Sequence, residues 1–135
     1  MPASLTLAEA NSIVAAAIAK ARELNILVSV TVCDTQGHLI ALNRMDGARS
    51  ESDRASIGKA IASAATGLPS GQIEGTVEHP SAQVIVAEGM PVFRVRGGLP
   101  IFRDGQVSGG CGVGGASSHE QEEECARAGI ACLPG

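Results

Sequence analysis

The chain has almost no aromatic side chains: Trp and Tyr are absent, and Phe93 and Phe102 are its only benzene rings. It also lacks a basic run, and its net charge is −4. Without stacking platforms or a positive field, nucleic acid is excluded as a partner. The same acidic balance disfavours anionic membranes. No apolar run reaches the roughly 18 residues that a bilayer span requires. The opening residues MPASLTLAEA lack the basic segment and hydrophobic run of a secretory signal, so a cytoplasmic address is expected. Cys33, Cys111, Cys125 and Cys132 form no CxxC or CxxxC pair. They are expected to be reduced and mostly buried, with Cys125 and Cys132 on one face of the last helix.

What is abundant is small. Apolar residues make up 44% of the 135 residues and there are 17 glycines. This length suits one domain over residues 1–135 with a real core. Small side chains bury little area each, so self-association, from a dimer up to an octamer, is the expected way to add stability.

Thr6-Leu7-Ala8-Glu9 has capping-box spacing, and Ala10, Ile13, Val14, Ala17, Ile18, Ala21 and Leu24 recur as one helical stripe. Asn25 is a left-handed stop. Val28, Val30 and Val32 alternate with Ser29, Thr31 and Cys33, the pattern of a half-buried strand. Asp34 to Gly37 is a hairpin loop and His38 to Arg44 the returning strand. A second helix over about Ser52 to Thr66 carries Ala55, Gly58, Ala62 and Ala65 as a close-packing face, with Lys59 its only basic residue past the first turn. Leu68 to Pro80 reads as a mobile lid, Ser81 to Glu88 as a short helix, and Pro91 to Val95 as a strand.

Gly97 to Gly129 is the most informative stretch. Leu99 to Phe102 is an apolar run, Arg103-Asp104-Gly105 a turn, and Gln106 to Val113 a strand running into five glycines between Gly109 and Gly115. Ser118 to Gln121 has capping-box spacing. Glu120, Glu122 and Glu123 read as a solvated face suited to the helix dipole. The glycines, Gly112 and Gly114 among them, let the strand's end lie against a helix backbone, a subunit or a flat ligand. The pattern is neither GxGxxG nor a P-loop. Hairpin-linked strands with flanking helices predict an α+β domain built on an antiparallel sheet.

Taken together, VTVCDTQGHLIALNRMDGA, SIGKAIASAATG and GGLPIFRDGQVSGGCGVGGASSHEQEEECARAG resemble the GlcG/HbpS-like family, which includes haem-binding proteins and the C-terminal domain of PduO-type proteins. The resemblance implies a profilin-like α/β sandwich, assembly into dimers and octamers, and haem as a ligand of some members. Others occur among genes for glycolate, diol or aromatic breakdown. Relatives commonly read GVSG where this chain has Gly112-Val113-Gly114-Gly115, which removes one polar contact.

Arg44, Asp46 and Lys59 form the best polar constellation. Arg44 and Asp46 flank a strand end and Lys59 sits on the next helix. Arg offers a planar fork for a carboxylate or haem propionate, and Lys a point charge. A desolvated Lys59 could instead act as a base or form a Schiff base, and in an enzyme Lys59 or Asp46 would move the proton. The bland alternative is a structural Arg44–Asp46 pair with Lys59 solvated or at a subunit contact. His38, His79 and His119 are the only imidazoles, and none is read as half of a metal-binding pair within one element. Haem iron requires an axial donor. His79 and His119 are the candidates, with Met45, Met90 and Cys111 nominally available. The scarcity of aromatics speaks against a deeply buried haem pocket and for a shallow or intersubunit one.

Three functions follow: an oligomeric binder of a small anionic ligand, haem or a related tetrapyrrole; an enzyme on a small carboxylated metabolite; or a non-catalytic assembly partner in a catabolic pathway.

Overall fold

Thr6 opens the first helix, α1 (Leu7–Glu23): its hydroxyl accepts from the Glu9 amide while the Glu9 carboxylate accepts from the Thr6 amide. Asn25, at φ 58°, turns the chain out of that helix. The strands β1 (Ser29–Asp34) and β2 (Leu39–Arg44) follow as a hairpin. At its tip the Asp34 carboxylate accepts from the amides of Gln36 and His38, and Gly37 takes φ 82°. Next come α2 (Ser52–Thr66), a single 3-10 turn at Ser70–Gln72, the strands β3 (Gly98–Arg103) and β4 (Gln106–Gly114), and α3 (His119–Ile130). Asp104 and Gly105, both at positive φ, close the second hairpin. The computed structural model describes residues 4–73 and 94–134. The expected helix at 81–88, the expected strand as far as Phe93 and the lid beyond Ile73 lie outside the described residues; Arg94 and Val95, the described end of that expected strand, are not strand, and β3 starts only at Gly98.

The four strands form one antiparallel sheet in the order β2-β1-β4-β3. Helices α1 and α3 cover one face and α2 the other. This is the α+β sandwich that the hairpins and flanking helices predict.

Val28, Val30, Val32, Cys111 and Val113 join Ile13, Val14, Ala17 and Cys125 in the core beneath α1 and α3. Strand β1 is nevertheless not half-buried. Ser29, Thr31 and Cys33 are as inaccessible as the valines, because α2 lies on them. Their hydroxyls are satisfied there: Ser29 Oγ lies 2.8 Å from Ser52 Oγ, and Thr31 Oγ1 lies 2.8 Å from Ser56 Oγ. Paired in this way, serine serves as a small packing residue.

The helix can come this close because β4 has no side chains in the way. A Cβ at Gly110, Gly112 or Gly114 would run into the carbonyl oxygen of Ala60, Ser56 or Ser52 respectively. The face packed on β4 is therefore Ser52, Ser56 and Ala60. Of the residues expected there, Gly58 and Ala62 are buried, but Ala55 and Ala65 are partly exposed.

Cys33, Cys111 and Cys125 are free and buried. Cys132 lies beyond the end of α3 and is exposed, so it does not share a helix face with Cys125.

Candidate functional site

Lys59 leaves the packed face of α2 and reaches past the end of β4. Its ammonium donates to the Val113 carbonyl at 2.9 Å and to Glu122 Oε1 at 2.8 Å. The side chains of Lys59 and Glu122 are 3% and 2% exposed. The Gly97-Gly98 pair makes room for the lysine. A Cβ at Gly97 would stand 2.9 Å from Lys59 Nζ, and one at Gly98 would stand 2.5 Å from the Lys59 carbonyl oxygen.

Glu122 comes from the first turn of α3, which Ser118 caps by accepting from the Gln121 amide at 3.2 Å. Its Oε2 accepts from the Ala116 amide at 3.1 Å, and its Oε1 accepts from His119 Nδ1 at 2.7 Å as well as from Lys59. The buried carboxylate thus has a cation, a backbone amide and an imidazole around it. Burial of a charge is tolerable only with partners of this kind.

These residues border a cavity of about 270 Å³, whose wall also includes Arg49, Glu51, Ser52, Ala55, Val95 and Gly115. The wall is mainly apolar. His119 is half-exposed, so its ring is open to solvent while its Nδ1 edge is tied to Glu122. Chemically the site offers one oriented imidazole nitrogen, a buried ion pair behind it, and the Arg49 and Glu51 side chains in the wall. Among the described residues no cluster of three or more His, Cys, Asp or Glu is arranged to hold a bare metal ion.

The expected constellation of Arg44, Asp46 and Lys59 does not assemble. Arg44 and Asp46 are exposed and line a different hollow with Ile18, Arg22, Leu42, Asn43 and Met45. The Arg44 guanidinium donates to the Ala48 carbonyl, and among the described residues no ion pair joins Arg44 to Asp46. The Arg44–Asp46 pair and solvated Lys59 of the bland alternative are not seen either, since Lys59 is buried. The chain turns at Met45–Asp46–Gly47, so Arg44 and Asp46 stay at the β2 edge beside Ile18 and Arg22 of α1, while α2, on the other face, carries Lys59 to β4, two strands away.

Gly112 and Gly114 face α2 rather than the cavity; Gly115 is the glycine that lines it. Of the nominal iron donors among the described residues, His119 alone borders this cavity. Met45 Sδ accepts from the Val28 amide, Cys111 is in the core, and His79 and Met90 lie outside the described residues.

The acidic face of α3 is also not the solvated one expected. Glu122 is buried, and so is Glu123, held by Arg96 at 3.2 Å and Arg127 at 2.9 Å. Glu122 is the functional residue that sequence reasoning missed. Two signals could have found it. Glu122, Cys125, Ala126 and Gly129 follow the i, i+3, i+4, i+7 rule for a buried stripe. His119 and Glu122 also stand three apart, the spacing of helix-surface neighbours.

The family model described as haem degrading protein HbpS-like matches residues 5–131. Protein GlcG of Escherichia coli strain K12 is 33% identical over 105 residues, covering 77% of this chain and 76% of that one. The crystal structure of a Streptomyces reticuli HbpS double mutant superposes with a TM-score of 0.83 at 29% identity, over 100% of this chain and 90% of that chain. The crystal structure of a PduOC:heme complex does so at 0.81 and 25% identity, over 97% and 96%.

Proposed function

The chain belongs to the HbpS-like family, and on that footing we propose that it binds haem or a related tetrapyrrole, with His119 as the iron ligand. One observation carries this reading: His119 borders a cavity with Nδ1 tied to a buried carboxylate, which leaves Nε2 as the free donor. Metal-ligating histidines characteristically have such a partner on the other nitrogen. The PduOC relative, whose structure is a haem complex, adds support.

The residues fit the group. Haem would supply a redox-active iron, His119 a nitrogen for it, and Arg49 a guanidinium for a propionate. The cavity, about 270 Å³, is smaller than the roughly 300–1,000 Å³ of pockets that enclose a drug-sized ligand. A tetrapyrrole would therefore enter by one edge, with the rest against the surface or a second copy of the chain.

Self-association, from dimer to octamer, is part of the proposal. Leu68 and Phe102 are 44% and 53% exposed. Phe102 belongs to an apolar hollow of about 410 Å³ with Pro69, Leu99 and Pro100, and exposed apolar patches mark contact surfaces. Free thiols suit the reducing cytoplasm.

A second reading rests on the same cation–carboxylate–imidazole chain. In an enzyme for a small carboxylated metabolite, His119 would move the proton, with Glu122 and Lys59 behind it and Arg49 holding the substrate carboxylate. Asp46 has no part in it, being in the other hollow.

The test is an absorbance titration with haemin. A saturable Soret shift at one haem per subunit is expected, weakened at least tenfold in His119→Ala. A flat response in the wild-type protein overturns the haem reading and directs attention to metabolite screening.

A further inference from the structure

One oxygen of Glu122 serves two donors. Oε1 accepts from Lys59 Nζ at 2.8 Å and from His119 Nδ1 at 2.7 Å, while Oε2 is taken separately by the Ala116 amide. A carboxylate offers only lone pairs, so Nδ1 carries a ring hydrogen, and in the neutral imidazole Nε2 is then bare. A carboxylate on one imidazole nitrogen increases the basicity of the other toward a metal. An ammonium on the same oxygen draws charge the opposite way and limits what the carboxylate can lend.

We propose that Glu122 and Lys59 act as a matched pair of positioning residues that set the donor strength of His119: Glu122 raises it, and Lys59 holds it in check. The inference rests on the haem-binding reading of this cavity. Neither residue touches the iron; each acts through the imidazole.

Two further observations favour a built arrangement over an incidental ion pair. Lys59 and Glu122 would satisfy each other without the histidine, yet a half-exposed ring is drawn onto the shared oxygen. The space for the lysine is also specifically cleared, by Gly97 and Gly98, which come from a third segment of the chain. The other charged side chains of the wall, Arg49 and Glu51, are opposite in sign, and the ring's Nδ1 hydrogen bond goes to Glu122.

Two measurements decide it. In the ligand-free wild type, ¹⁵N NMR of the imidazoles, with His119→Gln to identify the signal, should show His119 with its hydrogen on Nδ1. A neutral ring with its hydrogen on Nε2 and none on Nδ1 overturns the proposal without any haem being present. In the ferrous haem complex, resonance Raman reads the iron–histidine stretch, which rises as the imidazole becomes a stronger donor. It should rise in Lys59→Met, fall in Glu122→Gln, and stay near wild type in Lys59→Arg, which keeps the charge. Should Lys59→Met fail to fold, Glu122→Gln and Lys59→Arg still give different expectations, a fall against no change. Haem bound through His119 with a stretch indifferent to these changes overturns this inference alone. Haem uptake unaffected by His119→Gln overturns the functional reading and this inference with it.

Discussion

Gly112 of β4 lies directly beneath the backbone of Ser56 in α2: a side-chain carbon there would fall inside hard contact with the Ser56 carbonyl oxygen and 2.5 Å from the Ala60 amide nitrogen. Backbone thus packs on backbone, and any added atom must push the helix away from the sheet. Gly112→Val should cost roughly 1–3 kcal/mol, the range for overpacking, seen as a lower midpoint in thermal unfolding. Gly105→Ala is the contrast. Its φ is +75° with nothing within 4 Å of the added carbon, so only backbone strain of about 1–2 kcal/mol applies. A Gly112→Val protein as stable as wild type would show that the close approach relaxes freely.

The Lys59–Glu122 pair should behave as a buried ion pair does. Removing one partner, as in Lys59→Met or Glu122→Leu, leaves an uncompensated charge and should cost about 3–5 kcal/mol. The double variant should recover most of that loss, because apolar replacement of both members of a buried pair is often neutral. Urea unfolding of the three proteins measures the coupling. Additive losses would mean that the two side chains do not share their environment.

Arg44 and Asp46, by contrast, should be replaceable. Both are exposed, and neither belongs to an ion pair with the other. Alanine at either position should change stability by no more than about 0.5 kcal/mol and leave the haemin titration unaltered. A loss of haemin affinity in Arg44→Ala would move the ligand site to the hollow beside α1.

The thiols predict an alkaline limit. Burial pushes Cys33 up to about 12 and Cys125 up to about 11, and pushes Cys111 upward as well. In the unfolded chain thiols lose their protons near about pH 8.5. Above that pH the folded state holds more protons than the unfolded one, so stability must fall as pH rises. Melting temperatures should decline from about pH 8.5 to 10.5. In the native protein at pH 8 only Cys132 should react quickly with a thiol reagent, and all four cysteines should react in denaturant. Rapid reaction of three or four thiols without denaturant would contradict the buried placement.

Static light scattering at micromolar concentration should give the mass of a dimer or larger assembly. Replacing Phe102 with a charged residue should lower that mass if the apolar hollow is the contact. A monomer in the wild-type protein would remove self-association from the functional proposal.

The elements were legible wherever local physics decides them. Thr6–Glu9, Asp34–Gly37 and Asp104–Gly105 mark boundaries through capping and turn geometry, and the structure places them as the spacing predicts. Burial was harder. Alternating Ser29, Thr31 and Cys33 look like an outward face, and only the arrival of α2 buries them. The site was the least legible part, because its residues come from α2, α3 and the Gly97 segment. Arg44, Asp46 and Lys59 look associated in sequence, yet the turn after β2 separates them. Glu122 was hidden among neighbouring glutamates, where its place on the apolar stripe and its spacing from His119 were the local clues.

Lys59 and Glu122 meet from opposite faces of the sheet, past the end of β4, and so clasp the two helical layers together at one corner. No hairpin and no single helix contains this contact, so a partly folded chain has no site to offer. A ligand that depends on it binds only the fully assembled domain. Saturation at a hundred times its dissociation constant would then add about 2.7 kcal/mol to the stability of the whole chain. Cells short of the ligand would therefore hold a less durable protein than cells that have it in excess.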